Sequence, residues 1–157
     1  MLTVQPYAFE ERMPPWLHDL LRKGAKCNTV QRISPTGQLY RAINYANQVR
    51  GIVPLLARLL DDDNNVEEAW LCAPVIEHIF KMKDEGGFCG YRNAQMMLSY
   101  ILNARSPGWQ EVAKHMGSDP KDTEQRMPGI LALQDMIERA WDKGFNTRCR
   151  IETVCSA

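Results

Sequence analysis

Apolar residues recur at the three- and four-residue spacing of a helix in several parts of the chain, and alternating apolar and polar residues are scarce. The pattern predicts a first helix that begins after Pro14-Pro15 and ends at Gly24. The polar stretch 24–37 is typical of a loop, and a second helical tract is predicted from about Gln38 to Leu60, interrupted by a glycine and a proline. We therefore expect a mostly helical chain with little sheet.

The second half of the chain predicts three more helices after a dense apolar stretch at residues 66–82, which we expect to be core, either helical or partly extended. A long helix is predicted from Gly90 onward. Its expected buried face consists of Tyr91, Met97, Leu98, Ile101 and Leu102. A short helix is predicted from about Trp109 to Met116, and a last one from about Ile130 to Lys143, with Gly144 as its stop.

Composition and charge narrow the class of protein. The 157 residues are 45% hydrophobic and 24% charged, as in an ordinary globular domain. Nineteen basic residues balance nineteen acidic ones, so there is no electrostatic reason to expect nucleic acid or an anionic membrane as a partner. No apolar run approaches a membrane span, and the first residues lack a secretory signal pattern. We expect a cytoplasmic or nuclear protein, and its oligomeric state is not set by the sequence.

The sequence gives little support for a metal or cofactor site. The five cysteines are odd in number and form no CxxC pair, which favours reduced thiols. Asp61-Asp62-Asp63 lacks the alternating ligands and glycine of a calcium loop, so an exposed acidic loop is expected there. A zinc site built from the histidines and scattered cysteines would need ligands from four separate segments. We predict neither a metal nor a cofactor.

Cys89 is the residue with the clearest chemical potential. It follows the flexible Gly86-Gly87 pair and stands at the predicted start of a helix, where unpaired N–H groups and the helix dipole favour a thiolate. The small Gly90 leaves room for a substrate carbonyl, and backbone N–H groups at the same turn can form an oxyanion hole. The alternative is that Cys89 is a small buried hydrophobic residue.

The other cysteines and the histidines are weaker candidates. Cys72 lies in an apolar run and is predicted to be structural, Cys27 lies in a polar loop, and nothing supports a site at Cys149 or Cys155. A thiol enzyme also needs a base, and there are three histidines. They are His18 and His115, both expected on helix surfaces, and His78, expected in or beside the core.

The segment from Asp84 to Met96 resembles the nucleophile motif of the C78 cysteine peptidases, the family that includes the proteases of the ubiquitin-fold modifier Ufm1. Its order is glycine, aromatic, Cys, Gly, Tyr, Arg and Asn, with Gln-Met two positions further on. The stretch from Pro128 to Phe145 resembles the family's next helix. The resemblance covers about residues 66–153 and is stronger for the deubiquitinase branch than for the Ufm1 proteases.

The resemblance implies an α+β, papain-like fold, of which this chain would hold the mostly helical half. It makes Cys89 the nucleophile and assigns the positioning of its helix to a set of neighbours. These are Gly90, Tyr91, Arg92, Asn93 and Gln95. In the family, a histidine and an aspartate complete the site from a downstream β half. We therefore expect a C-terminally truncated and catalytically incomplete copy, with a helical extension at 1–65 and a partial peptidase domain at 66–157.

Three functional hypotheses remain open at this point. The first is a thiol peptidase of the deubiquitinase type, which hydrolyses the isopeptide bond after the Gly-Gly tail of ubiquitin or a ubiquitin-like modifier. The second is a non-catalytic ubiquitin-binding or vestigial helical module. The third is a helical protein in which the motif arises by chance. In the first two, the expected partner is ubiquitin or a ubiquitin-like modifier.

Overall fold

The computed structural model describes residues 13–34, 36–116, 127–146 and 148. Five helices and four short strands lie within these ranges, so the described chain is a mixed α and β structure. In chain order they are α1 (Pro15–Lys23), β1 (Cys27–Ile33), β2 (Leu39–Tyr45), β3 (Gln48–Val49), α2 (Ile52–Asp61), β4 (His78–Ile79), α3 (Cys89–Asn103), α4 (Trp109–His115) and α5 (Ile130–Asp142). Of the helices in these ranges, none has the length and apolar character to span a bilayer.

Four of the predicted helices are confirmed as α1, α3, α4 and α5, with ends within one residue of those expected. Proline opens α1, and Gly24 ends it with φ of 63° in the left-handed region. α3 begins at Cys89, one residue before the predicted start. The chain after α5 turns at Gly144, whose φ is 87°.

The predictions of a loop at 24–37 and a helix from Gln38 are wrong, because β1 and β2 form an antiparallel hairpin there. Their pairing runs from Cys27 with Tyr45 to Ile33 with Leu39. The hairpin turn is closed by Ser34 N–H, which donates to the Gln38 carbonyl at 2.8 Å. β-branched and aromatic residues on both sides of the turn favour strands. The polar character of 24–37 concealed the first strand, and the helical spacing of apolar residues after Gln38 concealed the second. Only the end of the predicted tract, from Ile52, is helical.

The prediction that residues 66–82 are core is also largely wrong. Trp70 is 88% exposed, and Leu71, Val75 and Phe80 are exposed as well. Ile79 is buried in β4, the one strand that the segment contributes. The apolar residues of this stretch have no regular spacing that would place them on one face of a helix or strand, so its hydrophobicity alone did not predict burial.

A two-stranded pairing joins the N-terminal region to the second half of the chain. β3 pairs antiparallel with β4, Gln48 opposite Ile79. Asn47, which is buried, extends the pairing by donating from Nδ2 to the Phe80 carbonyl at 3.0 Å and by accepting from the Phe80 N–H at 3.0 Å. α3 then packs on β4, α4 and α5. The pairing crosses the predicted domain boundary at residue 65, and the boundary itself stays a prediction.

The best-buried apolar cluster lies where α1 meets α5, directly beside the start of α3. Its buried residues are Leu17, Leu21 and Ile130. Partly buried residues packed against it are Met13, Leu20, Phe88, Tyr91 and Leu131. Phe88 and Tyr91 flank Cys89, so this cluster supports the helix end that carries the thiol.

We expect Ile130→Ala to lower the free energy of unfolding by about 3 kcal/mol, because it empties a well-packed site. Ile130 is 2% exposed, whereas Ile137 on the same helix is 39% exposed. The matched change Ile137→Ala should therefore cost less than about 1 kcal/mol. Urea unfolding followed by circular dichroism measures both, and equal losses would contradict this placement of the core.

Candidate active site

Cys89 is the first residue of α3 and is exposed. Its Sγ lies 3.9 Å from the carbonyl oxygen of Gly87, to which the thiol donates a weak hydrogen bond. The alternative of a buried hydrophobic cysteine is therefore wrong, and the sulfur is accessible to a substrate.

The backbone around Cys89 offers hydrogen-bond donors. Phe88 is the N-cap of α3 and makes no side-chain capping bond. The N–H groups of Tyr91 and Arg92 both donate to the Phe88 carbonyl, at 3.1 and 3.2 Å. Within the described residues, the N–H groups of Cys89 and Gly90 have no acceptor. Two unbonded donors thus lie next to the sulfur, at the positive end of a 15-residue helix.

The approach to these donors is open. A Cβ placed on Gly90 would meet no heavy atom within 4 Å. An extended backbone can therefore approach the first turn of α3. Donors aimed at one point beside a nucleophile are the arrangement that stabilises the oxyanion of an acyl-transfer intermediate.

A buried polar network, formed by Glu85, Arg92 and Gln95, lies behind the exposed thiol. The Glu85 carboxylate is fully buried and accepts Arg92 Nε at 2.9 Å on one oxygen and Nη2 at 2.6 Å on the other. Its second oxygen also accepts the Met82 N–H at 3.0 Å. Such a two-point pairing fixes the guanidinium in both position and plane.

Gln95 extends the network to α5. Its Oε1 accepts Arg92 Nη1 at 2.8 Å, and its Nε2 donates to the Pro128 carbonyl at 2.6 Å. Pro128 lies just before α5. The Glu85–Arg92–Gln95 network therefore connects the loop before the nucleophile, α3 and the entry to α5.

Local backbone geometry explains how Glu85 reaches the interior. Asp84 and Gly86 on either side of it have φ of 64° and 76°, both in the left-handed region. Glycine adopts this conformation without strain, and aspartate tolerates it better than most residues. The chain turns at both positions, and Glu85 is buried between an exposed Asp84 and a half-buried Gly86.

The residues that the resemblance assigned to the nucleophile helix fall into two groups. Gly90 and Asn93 are exposed, while Arg92 and Gln95 are buried. Tyr91 is half-buried, and its ring lies 5.8 Å from that of Phe88. Their functional roles stay predictions.

The predicted apolar face of α3 needs correction. Met97 is 66% exposed, and of the five predicted residues Leu102 is the one fully buried. The other buried positions of α3 are polar: Arg92, Gln95 and Ser99. These residues follow helical spacing, so α3 packs through a buried polar face held by hydrogen bonds. A search for apolar periodicity does not detect such a face.

None of the three histidines is placed at the thiol. His18 and His115 are exposed, as predicted for surface positions of α1 and α4. His78 is exposed rather than in the core, and its ring stacks on that of Phe80 at 6.1 Å. Across the described ranges, no histidine nitrogen hydrogen-bonds to Cys89 Sγ.

Among the residues that the structure describes, the other thiols and carboxylates form no second site. Cys27 and Cys72 are exposed free thiols, so the prediction of a structural Cys72 is wrong. Cys149 and Cys155 lie outside the described residues. Asp63, in the acidic loop, accepts the backbone and side-chain N–H groups of Asn65 at 3.0 Å. Searching the described part of the chain reveals no group of three or more acidic, histidine or cysteine side chains that could hold a metal.

Sequence reasoning missed two buried glutamates. Glu85 stood within the motif but received no role. Glu77 pairs with Arg50 at 2.9 Å, accepts Asn103 Nδ2 at 3.0 Å and is also bonded by Gln48 Nε2. Its N–H donates to Ser99 Oγ at 3.1 Å. Several of these partners are 22 or more residues distant in sequence, so no local signal could have indicated them.

Cys89 is thus an exposed cysteine at a helix start with unbonded N–H groups beside it, which is the local geometry that a thiol nucleophile would need. The model of peptidase family C78 matches residues 65–154, more than half of the chain. The chain therefore belongs to peptidase family C78, which confirms the resemblance.

The curated relatives carry the name zinc finger-containing ubiquitin peptidase 1. The chain is 33% identical over 97 residues to those of Macaca fascicularis and Homo sapiens. It is 35% identical over 98 residues to that of Mus musculus. Each match covers 61% of this chain and 15% of the relative. No solved structure matches the chain.

We expect Arg92→Met to lower the free energy of unfolding by about 3–5 kcal/mol, because it leaves the Glu85 carboxylate buried without its partner. In the Arg92–Glu85 pair the side chains are 9% and 0% exposed, against 67% and 53% in the Arg22–Asp19 pair of α1. The matched change Arg22→Met should cost no more than about 1 kcal/mol. Urea unfolding compares the two, and a small loss for Arg92→Met would show that the pair is not buried.

Proposed function

We propose that this chain is a thiol peptidase-type protein of the ubiquitin and ubiquitin-like system, of the deubiquitinase type. The observation that carries the proposal is the exposed Cys89 at the start of α3, beside two N–H groups with no acceptor in the described structure. Membership of a peptidase family and relatives named ubiquitin peptidase support the reaction class and the modifier. The expected substrate is an isopeptide bond that follows a C-terminal Gly-Gly.

The proposed chemistry is acyl transfer to sulfur. The Cys89 thiolate attacks the carbonyl carbon of the terminal glycine, and the N–H groups of Cys89 and Gly90 hold the oxygen as it becomes negative. The C–N bond then breaks, and the leaving amine takes a proton from a general acid. This leaves a thioester on Cys89. Water hydrolyses the thioester, releasing the modifier's carboxylate and restoring the thiol.

The first turn of α3 is open to a substrate backbone, since a Cβ placed on Gly90 would meet no heavy atom within 4 Å. The expectation of a Gly-Gly tail rests on the relatives named ubiquitin peptidase. Among modifiers, the relatives' name favours ubiquitin over Ufm1 as the partner.

We propose that the described chain is catalytically incomplete. Cys89 lacks a hydrogen bond to any histidine in the described residues, yet proton transfer at both steps of the reaction requires a positioned acid and base. General acid–base catalysis typically contributes about 10²–10⁴-fold in rate. An imidazole and an acidic group from outside the described residues would be needed for turnover.

The same observation favours a second candidate, a non-catalytic module that binds ubiquitin. A nucleophile helix without a base can keep a modifier-binding surface and lose the reaction. In either case we expect the protein in the cytoplasm or nucleus. Three exposed free cysteines fit a reducing compartment, where thiols persist.

Ubiquitin that carries an electrophile in place of its terminal carboxylate should label the purified chain slowly and at Cys89. Cys89→Ala should abolish the labelling, and Cys72→Ala, which removes another exposed thiol, should leave it unchanged. Mass spectrometry of the adduct locates the modified residue, and a Ufm1 probe of the same chemistry should label less. A folded chain that neither probe labels would favour the non-catalytic module.

Hydrolysis of a fluorogenic ubiquitin substrate by the chain alone should not exceed that by Cys89→Ala by more than about tenfold, since acid–base help is missing. Release of the fluorophore over time measures this. Turnover far above that level would refute catalytic incompleteness while supporting the peptidase proposal.

A further inference from the structure

Glu85 and Arg92 lie on either side of Cys89 in sequence, and their side chains are bonded to each other. Glu85 comes four residues before Cys89 and Arg92 three residues after it. The two-point bond between their side chains closes this stretch of chain into a loop, with the thiol on its exposed side. The Met82 N–H, bonded to the same carboxylate, anchors the loop at its base.

Apart from the packing of Phe88 and Tyr91 against the apolar cluster, no described side-chain cap holds the start of α3. Phe88 makes no side-chain capping bond, although a capping side chain is the usual means of ordering a first helical turn. Gly86 and Gly87 precede it, and glycine restrains the backbone less than any other residue. Without an additional restraint, the first turn of α3 would fray readily.

We propose that Glu85 is a positioning residue for Cys89. Its carboxylate holds the Arg92 guanidinium at two points and also accepts the Met82 N–H, and this fixes the first turn of α3. The thiol and the two N–H groups beside it are fixed with that turn. The catalytic role of this positioning rests on the proposed function, whereas the ordering of the helix start rests on the hydrogen-bond geometry alone. A fully buried carboxylate with three donors is well suited to the role, because its geometry leaves little freedom.

Glu77 provides a matched control within the same helix packing. It too is a buried glutamate with an arginine partner, but its carboxylate accepts from Asn103 in the second half of α3 and from Gln48 of β3. If buried glutamates acted only through global stability, removing either charge would have the same local effects. If Glu85 positions the thiol, Glu85→Gln and Glu77→Gln must differ at Cys89.

The experiment measures hydrogen exchange of individual amides by NMR in the full chain and in both variants. Glu85→Gln should speed exchange at Tyr91 and Arg92, whose N–H groups bond to the Phe88 carbonyl, by about tenfold or more, through local opening. Phe80, whose N–H bonds to the Asn47 carbonyl beside β3, should be unchanged. Glu77→Gln should give the reverse pattern. Equal acceleration at all three amides in both variants, or none at Tyr91 and Arg92 in Glu85→Gln, would overturn the proposal.

A second readout reports on the thiol itself. Labelling by the ubiquitin electrophile requires a correctly oriented thiol, whereas alkylation of Cys89 by iodoacetamide does not. The readout is the ratio of the first rate to the second. Glu85→Gln should lower this ratio by about tenfold, because small displacements of a nucleophile are costly, and Glu77→Gln should leave it unchanged. An equal fall in both variants would overturn the positioning role.

The two proposals fail in different ways. If the unaltered chain is not labelled by ubiquitin, the proposed function fails, while the exchange pattern still decides the role of Glu85. If Glu85→Gln does not fold, Arg92→Lys replaces it, because lysine keeps the charge but loses the second point of contact. Arg92→Lys should accelerate exchange at Tyr91 in the same selective way, and unchanged exchange there would refute the proposal.

Discussion

The buried pair of Glu85 and Arg92 is the interaction on which the candidate site depends. Taking two charges out of water is expensive, and the pair compensates only because each polar atom finds a partner: Met82 N–H for the carboxylate and Gln95 for the guanidinium. Loss of any one member would leave buried polar atoms of the others without a partner. All these hydrogen bonds can form only when the loop before α3, the helix α3 itself and the entry to α5 adopt one arrangement. The network therefore constrains the fold as well as the chemistry of the site.

This constraint explains the unusual character of α3. An ordinary surface helix buries an apolar stripe, but α3 buries Arg92, Gln95 and Ser99 and exposes Met97. Apolar packing is supplied instead by α1 and α5, whose Leu17 and Ile130 lie beside the helix start. Hydrogen bonds have directions and apolar contacts do not, so a buried polar face fixes rotation and register of the helix more sharply than an apolar stripe would.

How much the sequence could predict follows from the same distinction. α1, α3, α4 and α5 have local signals, such as proline at the start of α1 and glycine after its end, and these were sufficient. β1 was missed because its segment is largely polar, and β2 because its apolar residues also fit helical spacing. Strand pairing, which no local window contains, makes the choice. The exposed Trp70 was mistaken for core because residue type alone does not fix burial.

The candidate site divides in the same way. Cys89 could be found from its neighbours, since a glycine pair, a cysteine and a helix start are contiguous in sequence. Glu77 could not, because its partners Gln48, Asn103 and Ser99 come together only through folding. Glu85 lies between these cases: it is adjacent to the motif, but nothing in the sequence distinguishes it from the exposed Asp84 before it.

The structure also separates two requirements that a thiol peptidase must meet. Presenting a nucleophile requires an ordered helix start with unbonded N–H groups, and the described features that bear on this are the hydrogen bonds of Glu85, Arg92 and Gln95 and the unbonded N–H groups at the start of α3. Moving protons requires an imidazole at the sulfur, and no described histidine provides one. Presenting the thiol depends on packing around the start of α3, whereas proton transfer depends on another structural element that brings a base to the sulfur. Different parts of a protein can therefore meet the two requirements, and the region of the relatives that this chain matches is 15% of their length.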